Sequence, residues 1–90
     1  MRSSEGVDRV TGTVLVRFWA GARAAAGVDE ERLAAVATVG DLLARLAEAH
    51  PALEPVLPVC SVLVGGRAST GDDPVPAGAV VEVLPPFAGG

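Results

Sequence analysis

Thr38-Val39-Gly40-Asp41-Leu42-Leu43-Ala44-Arg45-Leu46-Ala47-Glu48-Ala49-His50 is the stretch on which the fold turns. Val39, Leu42, Leu43, Leu46 and His50 recur at helical spacing, while Asp41, Arg45 and Glu48 fall on the opposite side, which predicts one amphipathic helix. Thr38 is placed to cap the first amides, and Asp41, three residues on, puts a carboxylate in the first turn, where the helix dipole favours it. Pro51 disfavours helical geometry at His50 and closes the helix. Burial of its three leucines contributes about 1.5–3 kcal/mol each before the entropy of ordering is counted, so this helix is the main lid of the core.

On the N-terminal side, Val28 to Val36 is ambiguous by periodicity. Its charges, Asp29, Glu30, Glu31 and Arg32, suit an edge strand that offers Leu33 and Val36 to the core. Gly21 to Gly27 is alanine-rich between glycines and predicts a short helical turn and little more. Thr13 to Ala20 is rich in β-branched and aromatic residues and reads as the first strand. Val14, Val16 and Phe18 share the inward parity, which leaves Arg17 and Trp19 facing outward unless another layer of the fold covers the indole. Residues 1–12 read as a flexible N-terminal extension without the apolar core of a signal peptide, so the cytoplasm is the expected compartment.

On the C-terminal side, Pro51, Pro55 and Pro58 break up a connector. Val59 to Val64 then reads as a strand closed by Gly65-Gly66, with Cys60 an inert mid-strand packing residue, since no sequence neighbour would stabilise a thiolate. Asp72-Asp73-Pro74 and Pro76-Ala77-Gly78 are turn-forming and deliver the chain to a last strand, Val80 to Leu84. There Val81 and Val83 face inward, while Val80, Glu82 and Leu84 face outward. Two strands, a helix and two or more strands predict an α+β domain over residues 13–84, with the one main helix across one face of a mixed sheet.

Composition narrows the function. Ninety residues make a single domain, and 50% apolar against 20% charged residues is too hydrophobic for a disordered chain, yet no apolar run approaches a membrane span. One Cys and one His make no metal-site cluster. A net charge of -4, with the arginines scattered, argues against nucleic acid as a partner. All seven basic residues are arginine, so an activated C-terminal acyl group would meet no lysine amine on its own chain.

The remaining residues, 85–90, are Pro85-Pro86-Phe87-Ala88-Gly89-Gly90. Two prolines favour an extended backbone, Phe87 offers one apolar anchor, and two glycines present nothing to obstruct a narrow channel. The segment is either a frayed terminus or a presented tail whose payload is the Gly90 carboxylate. It follows directly on an apolar strand, which favours presentation.

Strand, strand, helix, strand, strand, then Val83-Leu84-Pro85-Pro86-Phe87-Ala88-Gly89-Gly90, resembles the MoaD/ThiS family of ubiquitin-like sulfur carriers, which have a β-grasp fold. The likeness runs from about Val14 to Gly90 and is strongest, through Pro85-Pro86 and the final Gly-Gly, to small subunits of molybdopterin synthase. Val62-Leu63-Val64-Gly65-Gly66 is similar to the family's strand and turn before its last hairpin. Ala79 stands where Asp is frequent, and Phe87 where a smaller apolar residue is usual.

The resemblance implies that an ATP-dependent, ubiquitin-activating-like adenylyltransferase adenylates Gly90, and that a sulfur donor protein converts the adenylate to a thiocarboxylate. It further implies that the tail enters the molybdopterin synthase large subunit, in a heterotetramer, where sulfur passes to a pyranopterin precursor in molybdenum cofactor biosynthesis. The chain would bind no cofactor, ATP being consumed by its partner, and would not be catalytic alone. A carrier for thiamine or cysteine synthesis shares the same terminal chemistry, and a ubiquitin-like protein modifier or interaction module shares the fold. In that topology Trp19, Leu63 and Leu84 are expected to form one outward apolar patch beside Arg17, read by the partner together with the tail.

Overall fold

Every second residue of the first strand, β1 (Thr13–Phe18), is buried: Val14, Val16 and Phe18 point to one side, as their parity requires. In this computed structural model, which describes residues 12–86, β1 is followed by α1 (Ala20–Ala26), β2 (Glu30–Ala34), α2 (Val39–Ala49), β3 (Ser61–Val64), β4 (Arg67–Ser69) and β5 (Val80–Leu84). The strands form one mixed sheet in the order β2-β1-β5-β3-β4, in which β1 and β5 run parallel and the other neighbours antiparallel. This is the expected α+β, β-grasp architecture. The proposed N-terminal extension, Gly12 apart, and Phe87, Ala88, Gly89 and Gly90 lie outside the described residues.

Helix α2 supplies the lid. Val39, Leu42 and Leu46 are buried in one cluster with Val14, Val16, Phe18, Val62, Val81 and Val83 from the sheet, and Leu43 is half-buried at its margin. The Thr38 hydroxyl accepts the Asp41 amide at 3.2 Å, as the capping pattern requires. The loop before β5 satisfies two further orphan donors at this helix end, because Val39 N–H donates to Asp73 O and Gly40 N–H to Gly71 O, both at 2.9 Å. A side chain at Gly40 would bring its Cβ to 3.2 Å from Gly71 O, so the close approach of loop and helix uses a glycine.

Several boundaries differ from the sequence reading. β3 begins at Ser61, because Leu57–Val59 forms a 3-10 turn around Pro58, with Cys60 N–H donating to Leu57 O at 3.0 Å. Cys60 therefore precedes the strand. Pro51–Leu53 forms a second such turn, and the two bury Leu53 and Leu57 in the core. α1 is a complete helix of seven residues and buries Ala22; Gly27, at φ 81°, ends it in the left-handed conformation. β1 stops at Phe18, since Trp19 becomes the N-cap of α1 and Ala20 takes a φ of 48°. β4 has no β-branched residue to announce it and is specified by its turn, in which Gly65 and Gly66 have φ of 58° and 83°, as a tight hairpin demands.

Candidate functional site

β5 lies at the centre of the sheet and is held from both sides to its last residue. Phe18 pairs with Val83, Trp19 N–H donates to Val83 O at 3.1 Å, and Ser61 pairs with Leu84. The chain then leaves as Pro85, half-buried, and Pro86, exposed. Pro85 lies against the first turn of α1, its Cγ 4.0 Å from the place a Cβ on Gly21 would occupy. The first step of the tail is thus set by packing as well as by the fixed φ of proline.

The sheet face away from α2 carries the outward residues in rows. One row runs across all five strands as Glu30, Arg17, Glu82, Leu63 and Ala68. Leu84 stands in the next row towards the tail, opposite Ser61, with Trp19 just beyond the end of β1. Trp19 is 41% exposed, so no layer of the fold covers the indole. Leu63 and Leu84 are half-buried, and Glu82, not an apolar residue, stands between Leu63 and Arg17. The apolar surface is consequently concentrated at Trp19 and Leu84, and Leu63 reaches it only diagonally. The Arg17 guanidinium carbon lies 5.5 Å from the Trp19 ring centre, and its Nε is 3.6 Å from a Glu30 carboxylate oxygen.

Cys60, His50, Ser69 and Asp73 are each engaged within the fold. The Cys60 thiol is half-buried and donates to Val56 O at 3.3 Å, and burial pushes its pKa up, away from the reactive thiolate. His50 meets Glu31 across the gap between α2 and β2 and stands edge-on to Phe18. The pattern had placed His50 on the inward face of the helix without its partner, which depends on the position of β2. In the groove between β4 and the loop that follows, the Ser69 hydroxyl donates to Arg67 O and the Asp73 carboxylate accepts the Thr70 amide. Among the described residues no three His, Cys, Asp or Glu side chains gather as a metal site. None of their helices is long and apolar enough to cross a membrane.

A mixed sheet crossed by one long helix, with the chain departing from its central strand through two prolines, defines a ubiquitin-like domain. The chain belongs to the ThiS family of ubiquitin-like sulfur carriers, which its residues 16–90 match. SAMP1 from Haloferax volcanii is similar at 31% identity and a TM-score of 0.78, over 88% of this chain and 100% of that one. A putative molybdopterin converting factor, subunit 1, from Pyrococcus furiosus is similar at 29% identity and a TM-score of 0.77, over 84% of this chain and 99% of that one. Subunit 1 of the molybdopterin-converting factor of Helicobacter pylori, solved in complex with subunit 2, shares the fold at 23% identity and a TM-score of 0.64, over 87% and 99% of the two chains. A comparison with curated protein sequences finds no match.

Proposed function

We propose that this chain carries sulfur as a thiocarboxylate on Gly90 and delivers it in molybdopterin biosynthesis. The observation that carries the reading is the departure of Pro85-Pro86 from the central strand of a ThiS-family domain, four residues before the chain ends in Gly-Gly. A free carboxylate is a poor electrophile, because it is anionic and would have to expel oxide. When a carboxylate oxygen of Gly90 attacks the α-phosphorus of ATP, pyrophosphate leaves and an acyl adenylate forms. Sulfur donated at the hydrosulfide level then attacks the acyl carbon, the bond to the phosphate oxygen breaks, AMP departs, and loss of the S–H proton leaves the thiocarboxylate. Both steps are assigned to partners, as the family resemblance implies: an ATP-dependent adenylyltransferase and a sulfur donor protein. The likeness to a putative molybdopterin converting factor subunit 1 supports a synthase large subunit as acceptor, and the heterotetramer is what the family resemblance implies.

The likeness to SAMP1, a small archaeal modifier protein, favours a second reading in which the activated Gly90 passes to a lysine amine of a target protein. The intact mass of the chain, taken with its activating enzyme and sulfur donor, tests the first reading. Replacement of one oxygen by sulfur, followed by dithiolene formation with the large subunit and a pyranopterin precursor, is the expected result. Stable amide conjugates without sulfur incorporation would instead establish the modifier.

Two further outcomes are expected. Cys60→Ala loads sulfur at the parental yield, since the carrier atom sits on Gly90 and the thiol is packed away. Loss of loading in a folded Cys60→Ala protein would make Cys60 a relay. Trp19→Ala and Leu84→Ala should each weaken binding to the large subunit or activating enzyme by about 1–4 kcal/mol, the range for aromatic and aliphatic anchors. Titration calorimetry on the folded variants checks this, and unchanged affinity in both would mean that the sheet face is not read.

A further inference from the structure

The exposed large apolar residues are not spread evenly over the domain. Among the described residues they are Trp19, Val28, Val59 and Val80, at 41%, 42%, 62% and 40% exposure. The strand directions sort them. Trp19 follows the end of β1, Val28 leads into the start of β2, and Val59 leads into the start of β3. The pairings of Arg17 with Glu30, Phe18 with Val83 and Ser61 with Leu84 put all three at the end of the sheet from which Pro85 departs. Val80 alone belongs to the opposite end, paired with Leu15. Across that departing end the order is Val28, Trp19, the tail, then Val59. Two apolar residues stand on one side of the tail and one on the other.

On the side of the tail that bears Val28 and Trp19, two ion pairs stand close by. Arg23 lies 3.6 Å from Asp29, and Arg17 lies 3.6 Å from Glu30, so the side bearing Val28 and Trp19 is locally neutral. On the carrier reading the span from the sheet to the reacting carboxylate is short. Six residues from Pro85 to Gly90 reach at most about 20 Å when fully extended. A partner whose catalytic centre receives Gly90 must therefore bring its own folded body close to the end of the sheet, where its walls cover the surroundings of the tail. Apolar side chains there gain from that burial, whereas a charged rim would have to be desolvated.

We infer that Val28 and Val59, with Trp19, form an apolar collar around the departing tail, and that the collar seats the mouth of the activating enzyme's tail channel. The inference rests on the carrier reading of Gly90. It adds an end-on contact at two residues outside the sheet face, and it specifies a partner mouth that is apolar and weakly charged.

The test uses the full chain and a ubiquitin-activating-like adenylyltransferase that adenylates the parent chain. Val28→Asp and Val59→Asp are each expected to weaken binding by about tenfold or more, as is usual for anchors at the centre of an interface. Val80→Asp, an equally exposed valine at the far end, is expected to bind as the parent does. Val59→Ile should retain affinity, and thermal unfolding of every variant guards against loss of the fold. Parental affinity and adenylation in both collar variants would overturn the collar and leave the carrier reading intact. Equal weakening by Val80→Asp would overturn the end-on placement. Failure of the parent chain to form an adenylate with any ubiquitin-activating-like adenylyltransferase would overturn the carrier reading, and with it the occupant named for the collar.

Discussion

Removal of Gly90 is expected to abolish ATP-dependent activation while leaving thermal unfolding unchanged. The domain closes at Leu84, whose pairing with Ser61 is the last contact of the β3–β5 ladder. Pro85 adds its contact with α1, and Gly90 lies five residues further on. Stability should therefore be insensitive to the terminal residue. Activation should depend on it wholly, because the truncated chain ends in Gly89 and its carboxylate falls about 3.5 Å short of the reacting phosphorus, one residue of extended chain. A misplacement of that size far exceeds what positioning for reaction tolerates. Gly89→Leu should act similarly by obstructing a channel shaped for a bare backbone. Adenylate formation, followed by pyrophosphate release, and melting temperature should be measured on the same samples. Normal activation of the truncated chain would remove the assignment of Gly90, and a lowered melting temperature would show that the tail belongs to the fold.

What could be read from the sequence, and what could not, follows from the range of the interactions involved. α2 was legible because its cap, its apolar spacing and its terminating Pro51 are all local, and the structure places Val39, Leu42 and Leu46 in the core as that spacing demands. The inward faces of β1 and β5 were legible for the same reason, since parity decides Val14, Val16, Phe18, Val81 and Val83. The start of β3 differs because Val59 and Cys60 have strand-like composition, while Pro58, immediately before them, favours a tight turn. Val75, buried in the core, was missed because it lies among Asp72, Asp73, Pro74 and Pro76 and is fixed by a hydrogen bond from its N–H to Ala37 O at 3.0 Å, a contact between distant segments.

The candidate site was legible by residue type but not by arrangement. Parity announced that Arg17 and Leu84 point outward, and the β-grasp topology added Leu63. Only the register shows that Leu63 stands opposite Glu82, and Leu84 opposite Ser61. The gathering of Val28 and Val59 beside the tail needs more still, because these residues are 31 positions apart and meet at one end of the sheet only through the strand order. No local pattern carries that information.

Leu46→Ala is expected to cost about 2–5 kcal/mol, the usual range for a fully buried leucine truncated to alanine. Leu46 has no exposed surface and shares the single cluster formed by α2, the sheet and the two 3-10 turns, so the space it vacates is lined on every side by residues that other elements hold in place. A domain of this size has a net stability on the order of 5–13 kcal/mol, and the substitution removes a large part of it. The backbone hydrogen bond from His50 N–H to Leu46 O, at 2.8 Å, is kept by alanine, which is also a strong helix former, so the loss reports packing and not helix propensity. Leu43→Ala provides the comparison, since Leu43 is half-buried at the edge of the cluster and should cost distinctly less. Denaturant unfolding of the two variants measures the difference, and equal losses would mean that α2 is not oriented as described. The fraction of Leu46→Ala protein that remains folded should still be adenylated at the parental rate, because Pro85 and Pro86 follow β5 at the end of the sheet and are not among the residues of the core beneath α2.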